Sequence, residues 1–413
     1  MKTVKFITLG CKVNMYETEA MTGLFEKSGY IAVDGGCADV TVINPCPVTA
    51  VSDKKSRQMI RRARKLSPNG IVVVVGCYSQ VSPEAVREMP DVDIILGTTD
   101  RKNIVGYVEE YKGKRHDYVS EDIITDYEEL SCLRQLRTRA VIKIQDGCDN
   151  FCSYCIIPYA RGCARTRSPQ SAADEVARLT LEEFSEFVLV GIHLDGSLID
   201  TLKLISSIDG VKRIRLGSLD PNVITEEFAT ELSKTPNLCR HFHISLQSGS
   251  DAILKTMNRK YTAAQYTAYI ECLKSAMPDC AITTDVIVGF PGETDNDFRQ
   301  TVEMVESIGF CDVHVFPYSQ REGTAAAVLD GQLENSIKVK RAAELMRITD
   351  DMRKNHCEKM IGNIYEVLFE NNEEGLTTEY VRVKISGYKD LVGKYKNVKI
   401  TECCGDYCMG KIV

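Results

Sequence analysis

Asp146-Gly147-Cys148-Asp149-Asn150-Phe151-Cys152-Ser153-Tyr154-Cys155-Ile156-Ile157-Pro158 spaces three cysteines as C-x-x-x-C-x-x-C directly after a strand-like segment over 140–145. Thiolates are soft donors that hold iron–sulfur clusters. Three of them at this spacing fit three corners of a cubane, which leaves the fourth iron open to a small molecule. Random placement of 17 cysteines in 413 residues yields roughly 0.03 such runs, so cysteine richness alone does not produce the motif.

Downstream of this run, strand-like segments recur at 187–191, 213–216, 242–247, 282–289 and 313–318, each followed by a helical pattern. Counting 140–145, that makes six strands. Six are too few to close an eight-fold barrel, so 134–360 reads as an open, partial (β/α)6 barrel, with a long closing helix over 332–360. Upstream, strands at 4–9, 40–43, 71–75 and 94–96 alternate with helices at 17–27, 52–66 and 83–89. That alternation implies a doubly wound parallel sheet over 1–100. Residues 101–133 are charged and weakly patterned, and read as a linker. From 361 to 413 the pattern changes to short β runs at 364–370, 380–385, 398–402 and 409–413, a small β-barrel. The fold class is therefore α/β with a β module at the end.

A second triad lies in the first segment. Cys11, Cys46 and Cys77 each follow the end of a parallel strand. Strand carboxyl ends share one edge of such a sheet, and ligands bind there; taken alone, cysteines at strand ends read equally as small apolar residues, and the shared position of all three beside an independent cluster motif points to one metal site. Gly10 and Gly76 let backbone approach it closely. Cys403, Cys404 and Cys408 read as small packing residues. The formal net charge of −7 offers no global attraction to nucleic acid, so such a site must be a local basic patch. Two runs qualify: residues 54–65, with seven basic residues and no acidic one, and Arg134, Arg137, Arg139, Lys143, Arg161, Arg165 and Arg167 against Asp146 and Asp149; either alone reads by default as a solvated face. Met1-Lys2-Thr3-Val4-Lys5-Phe6 lacks the apolar region of a signal peptide. No stretch approaches the roughly 20 apolar residues of a membrane span. Abundant cysteine without export signals fits a reducing, cytoplasmic setting.

The spacing of Cys148, Cys152 and Cys155, with Tyr154 before the third cysteine, resembles the cluster loop of the radical S-adenosylmethionine (SAM) superfamily. Leu9-Gly10-Cys11-Lys12-Val13-Asn14, Asn44-Pro45-Cys46-Pro47-Val48-Thr49, Gly76-Cys77-Tyr78, Leu246-Gln247-Ser248-Gly249-Ser250, Met257-Asn258-Arg259 and Val288-Gly289-Phe290-Pro291-Gly292-Glu293-Thr294 are similar to segments of the radical-SAM methylthiotransferases. The resemblance covers nearly the whole chain. Lys12-Val13-Asn14 and 316–324 most resemble the members that act on N6-threonylcarbamoyladenosine in transfer RNA. Pro45 and Pro47 stand where the family usually has threonine and remove two N–H donors; Gly217 and Asp220 stand where serine and glutamate are usual.

The resemblance implies two 4Fe–4S clusters, one on Cys148, Cys152 and Cys155 and one on Cys11, Cys46 and Cys77, the latter carrying the sulfur to be inserted. It implies SAM contacts from Tyr154, Gly191, Gln247, Ser248, Arg259, Gly289 and Phe290. Read alone, Gly289 to Thr294 is a turn that caps a helix at Thr294, and His193 and His314 are packed or hydrogen-bonded residues. Arg161, Arg165, Arg167 and Arg321 are the expected contacts to substrate RNA. The end module resembles the TRAM domain, a small RNA-binding barrel. Implied partners are a tRNA anticodon stem-loop, a flavodoxin- or ferredoxin-type electron donor and a sulfur donor, with no membrane. Two sister activities stand beside this reading: methylthiolation of isopentenyladenosine in tRNA and of a ribosomal-protein aspartate. A non-catalytic iron–sulfur carrier is the rival from another class. A cobalamin-dependent methylase fits less well, since the first segment has no Asp-x-His-x-x-Gly.

Overall fold

Ile71-Val72-Val73-Val74-Val75 leaves no polar face, the composition of a central parallel strand covered on both sides. The computed structural model describes every residue except Thr49, Ile123, Leu133, Arg134 and Leu136, and the side chains of Ala50 and Val51. Arg134 of the second basic run and the boundary drawn at 133–134 thus lie outside the described residues.

The first unit comprises β1 (Thr3–Thr8), α1 (Lys12–Lys27), β2 (Ile31–Ala32), β3 (Val40–Asn44), α2 (Ala50–Leu66), β4 (Ile71–Val75), α3 (Cys77–Val81), α4 (Pro83–Arg87), β5 (Ile94–Leu96), α5 (Ile104–Glu109) and β6 (His116–Tyr118). The strands form one parallel sheet in the order β2-β1-β3-β4-β5-β6. Its two faces bury Val42, Val73 and Leu96 on one side and Ile43, Val74 and Ile95 on the other. The linker reading of 101–133 is corrected here. α5 buries Ile104 and Val108 under the sheet, and β6 pairs with β5 as the sixth strand. Only three residues long and written His-Asp-Tyr, β6 offers no apolar alternation to read.

The second unit runs β7 (Ala140–Lys143), β8 (Gln145–Asp146), α6 (Ile157–Arg161), β9 (Arg165–Thr166), α7 (Pro169–Thr180), β10 (Glu186–Val190), α8 (Leu198–Ser206), β11 (Arg213–Leu216), β12 (Ser218–Leu219), α9 (Glu226–Ser233), β13 (His241–Ile244), α10 (Asp251–Thr256), α11 (Ala263–Ala276), β14 (Ala281–Val288), α12 (Asp295–Ile308), β15 (Asp312–Pro317) and α13 (Asn335–Lys359). Parallel strands β7, β10 and β11 make one arc and β12, β13, β14 and β15 the next. Single bridges at Leu194–Leu219 and Ile214–Leu238 join the arcs into the open barrel read from the sequence. Ile142, Leu189, Ile214, Phe242 and Ile282 pack against helix residues Val176, Leu202, Phe228, Tyr266 and Val305. Thr294 caps α12 by accepting from the Asp297 N–H at 3.2 Å.

The last unit is a closed barrel, β16 (Ile364–Phe369), β17 (Glu374–Leu376), β18 (Arg382–Lys384), β20 (Cys408–Ile412) and β19 (Tyr395–Cys403), around Val367, Phe369, Val383 and Val398. Cys408 and Cys357 bury in this core with Cys403 packed against it. Arg213 and Arg215 of β11 fasten it to the partial barrel by donating to the carbonyl oxygens of Glu366, Leu376, Thr377 and Thr378 at 2.6–3.3 Å. Among the described residues no helix is long and apolar enough to cross a membrane.

Candidate active site and cluster ligands

Both cysteine triads open onto one cavity of about 540 Å³, lined by Cys11, Cys46 and Cys77 from the sheet and by Cys148, Cys152 and Cys155 from the partial barrel. The first three stand at the carboxyl ends of β1, β3 and β4, where parallel strands bring them to one edge. Two glycines make that convergence possible. A Cβ on Gly10 (φ +109°) would lie 2.7 Å from the Cys46 Cβ, and one on Gly76 (φ +105°) 2.5 Å from the Asn44 Oδ1. The second triad sits on the loop between β8 and α6. Antiparallel pairing of β8 with β9, Gln145 to Thr166 and Asp146 to Arg165, closes that loop like a staple.

The donor set suits a cluster. Every cavity-lining sulfur comes from a thiol that carries no disulfide. Among the described residues, neither triad draws its ligand atoms within 4.8 Å of one another as His243, Asp285 and His314 do, so each triad is more open than a single-ion site. N–H groups point at several of the sulfurs: Arg161 Nε to Cys77 Sγ at 3.1 Å, Arg259 Nη1 to Cys152 Sγ at 3.3 Å and the Ile157 N–H to Cys155 Sγ at 3.4 Å. Burial pushes the thiols of Cys77 and Cys155 up to about 12, and that of Cys148 up to about 11. Such thiols need a cationic core to ionise, and metal coordination supplies it.

Of the expected SAM contacts, Tyr154, Gly191, Gln247 and Arg259 line the same cavity. Gln247 holds a left-handed backbone (φ +68°) and donates its N–H to the Asp285 carbonyl at 2.8 Å. Arg259 lies between Tyr261, at 2.9 Å, and the Ser245 carbonyl, at 3.4 Å. The Gln145 side-chain carbonyl accepts from the N–H groups of Ile192 and His193 at 2.8 and 2.7 Å, which shapes the turn after Gly191. Ser248, Gly289 and Phe290 do not line the cavity. Ser248 bonds Thr301 at 3.3 Å, Gly289 abuts Lys338 of α13, and Phe290 is buried behind Tyr154 and against Tyr318, with ring centroids 6.4 and 5.2 Å away. His193 lies 3.2 Å from the Asn150 amide, and His314 stacks on His243 at 5.7 Å.

The four arginines expected at RNA are held in hydrogen bonds and ion pairs within the protein. Arg161 is fully buried and bonds Glu17, Asp146 and Asn14 at 2.8–3.1 Å. Arg165 is turned inward by its strand pairing and donates to the carbonyls of Arg161 and Cys163 at 2.7 Å. Arg167 pairs with Glu175 at 2.5 Å and with Glu129 at 3.2 Å. Arg321 pairs with Asp53 of α2 and reaches Ser82 at 3.3 Å. All four are less than a tenth exposed; they join segments of the protein and present no free guanidinium.

Sequence reading missed the group that seats the sheet on the barrel. Glu17 of α1 is ringed by Arg101 at 2.6 Å, Arg161 at 2.8 Å and Lys143 at 2.9 Å, and Asp146 by Lys143 at 2.5 Å and Arg161 at 2.9 Å. A charged residue on an otherwise apolar strand, Lys143, was the available signal. Asn14, Asn150, Ser245 and Asp220 also enter the cavity wall and were not singled out as contacts.

A partial parallel barrel with a three-cysteine loop at its mouth defines a radical-SAM enzyme. The Radical SAM superfamily pattern matches residues 142–305, and one described as "Uncharacterized protein family UPF0004" matches 3–97. The chain is 41% identical, over its whole length and 97% of the relative's, to the threonylcarbamoyladenosine tRNA methylthiotransferase MtaB of Bacillus subtilis (strain 168). It is 36% identical to the same-named protein of Thermotoga maritima, over its whole length and 99% of the relative's. A tRNA-2-methylthio-N(6)-dimethylallyladenosine synthase of Clostridium botulinum (strain Loch Maree / Type A3) is 33% identical over 95% of the chain and 93% of the relative. Among solved structures, the radical SAM methyltransferase TsrM from Kitasatospora setae superposes with a TM-score of 0.62 over 79% of this chain and 74% of that one, at 14% identity, a likeness of fold. The chain belongs to the radical-SAM methylthiotransferase family, and its cofactors are SAM and 4Fe–4S clusters.

Proposed function

We propose that this chain converts N6-threonylcarbamoyladenosine beside the tRNA anticodon to its 2-methylthio derivative. The observation that carries the reading is the shared cavity of the two triads in a chain alike end to end to methylthiotransferases of that name. C2 of adenine bears a hydrogen that no side-chain base removes at neutral pH, so the reaction needs radical chemistry. Cys148, Cys152 and Cys155 would hold the cluster that reduces SAM, and Cys11, Cys46 and Cys77 the cluster that carries sulfur; together with SAM these supply the radical and the methylthio group.

The protein's own side chains orient and enclose. Arg259 steadies the Cys152 sulfur and adds positive charge where a methionine carboxylate would sit. Tyr154 presents its ring to the cavity wall, a stacking surface for a purine. Arg161 does the equivalent for Cys77 and ties that ligand to the barrel through Asp146. A flavodoxin- or ferredoxin-type protein would deliver the electrons and a sulfur donor the inserted atom, in the cytoplasm. Nucleoside analysis of tRNA from a strain lacking the gene tests this. Loss of the 2-methylthio derivative, restored by the intact chain but not by a Cys148→Ala variant, is expected; an unchanged nucleoside profile contradicts it.

A further inference from the structure

A second cavity, of about 690 Å³, lies between the inner face of the partial barrel and the end barrel. It meets the cysteine cavity at Lys12, Gly217 and Ser218, which line both. Several cations reach it, and most already have anions. Arg139 pairs with Glu370 at 2.8 Å, Arg215 with Glu186 at 3.2 Å, Arg353 with Asp312 at 3.2 Å and Arg382 with Glu374 at 2.9 Å.

Lys12 is different. It directly follows Cys11 and is exposed to the cavity. Among the described residues it forms no ion pair, and its ammonium lies 5.8 Å from the centre of the Tyr380 ring. Arg139 and Arg215 flank the same ring at 5.7 and 4.9 Å. Asp285, Asp312, Glu370, Glu374, Glu379 and Asp406 line the same cavity, but Glu370, Asp312 and Glu374 are engaged by arginines and Asp285 faces His243 at 3.1 Å, so beside this ring the Lys12 ammonium is the cation left for an incoming carboxylate. Ser218 and Thr283 also line the cavity, the Thr283 hydroxyl lying 3.0 Å from ring nitrogens of His241 and His243.

We infer that this second cavity is the anion subsite of the nucleoside pocket, in which the Lys12 ammonium takes the carboxylate of the threonylcarbamoyl group while the adenine occupies the cysteine cavity. The inference rests on the threonylcarbamoyladenosine reading. The N6 substituent leaves the same ring whose C2 is modified, so its carboxylate falls within a nucleotide's breadth of the cluster ligands. Lys12 is bonded to one of those ligands in sequence. An isopentenyl group would bring nothing to pair with these cations, so the subsite also discriminates between the two nucleosides.

The test is binding of three synthetic anticodon stem-loops to the anaerobically reconstituted full chain: one carrying threonylcarbamoyladenosine, one its methyl ester and one unmodified adenosine. A charge-assisted hydrogen bond corresponds to roughly tenfold in affinity, so the wild type should prefer acid over ester by about that factor. In Lys12→Met the preference should collapse to within about twofold, while Lys12→Arg keeps most of it; iron content is measured on each variant. Equal binding of acid and ester by the wild type overturns the subsite whatever the variants do. So does an undiminished preference in Lys12→Met. If the wild type modifies threonylcarbamoyladenosine yet ignores the ester change, the subsite alone fails. A parallel assay of modification on tRNA bearing threonylcarbamoyladenosine or isopentenyladenosine separates the two failures: product from isopentenyladenosine alone fails the substrate reading and the subsite with it.

Discussion

Glu17 has no accessible surface, and burial by itself would raise its carboxyl above the ordinary range. The cations of Arg101, Arg161 and Lys143 overcome that and hold it well below 4.5. Removing one partner of a buried ionic group typically costs about 3–5 kcal/mol, because the others are left uncompensated. Glu17→Ala is therefore expected to lower unfolding stability by about that amount and to reduce iron bound by the Cys11, Cys46 and Cys77 triad, read by denaturant titration and metal analysis. The pH dependence has a fixed sign. A carboxylate with a depressed folded pKa stabilises fully above its unfolded value and loses that contribution as pH falls through the folded one. For Glu17, and for Asp146, also held low against burial by Arg161 and Lys143, stability should decline below about pH 4.5; a wild-type midpoint unchanged between pH 6 and 3 would contradict this. At this scale the sequence is half legible. Cysteine identity and spacing announce themselves, whereas Arg161 looks like a surface residue until Glu17, 144 positions away, is seen against it.

α2 carries Lys54, Lys55, Arg61, Arg62 and Lys65 on its exposed surface. Arg64 differs, being half-buried and paired with Asp93 at 2.5 Å. The arginines after the cluster loop and Arg321 turn inward, while this helix keeps its charges in solvent. Each phosphate contact contributes about 0.7–0.9 to the salt slope of binding. Replacing Arg61, Arg62 and Lys65 with glutamate should weaken tRNA binding and reduce that slope by roughly two to three, measured by filter binding across a salt series; unchanged affinity and slope would make the run a plain solvated face. The long helices α2 and α13 were readable because apolar positions recur over many residues, and β4 because its five residues form an unbroken apolar run. β6, β8, β9 and β17 are two or three residues long and exist because neighbouring strands offer partners, a condition no local pattern records.

Across the whole molecule, the sheet and the partial barrel press two three-cysteine edges against one space, and the end barrel closes a second space beside it. If both triads carry cubanes, anaerobic reconstitution should load about eight irons per chain. Alanine at Cys148, Cys152 and Cys155 should halve that load and abolish SAM cleavage. Alanine at Cys11, Cys46 and Cys77 should also halve it, yet spare SAM cleavage and stop sulfur insertion; a wild type that never exceeds four irons would remove the second cluster. The end barrel was legible because its short β runs break the strand–helix alternation, and the partial barrel because the cysteine loop marks where its series of strands begins; the first two units share one alternation, which is why the stretch between them was misread as a linker. The shared cavity was not, since it depends on how Glu17, Asp146 and Arg161 dock two units that the sequence describes separately.

The most direct measurement is mass spectrometry of nucleosides after the purified, reconstituted chain is incubated with SAM, reductant, a sulfur source and tRNA bearing either threonylcarbamoyladenosine or isopentenyladenosine. The 2-methylthio derivative of threonylcarbamoyladenosine should appear, and that of isopentenyladenosine should lag far behind. Methylthiolation of isopentenyladenosine alone would contradict the substrate, and modification only of a ribosomal protein would contradict the RNA reading altogether.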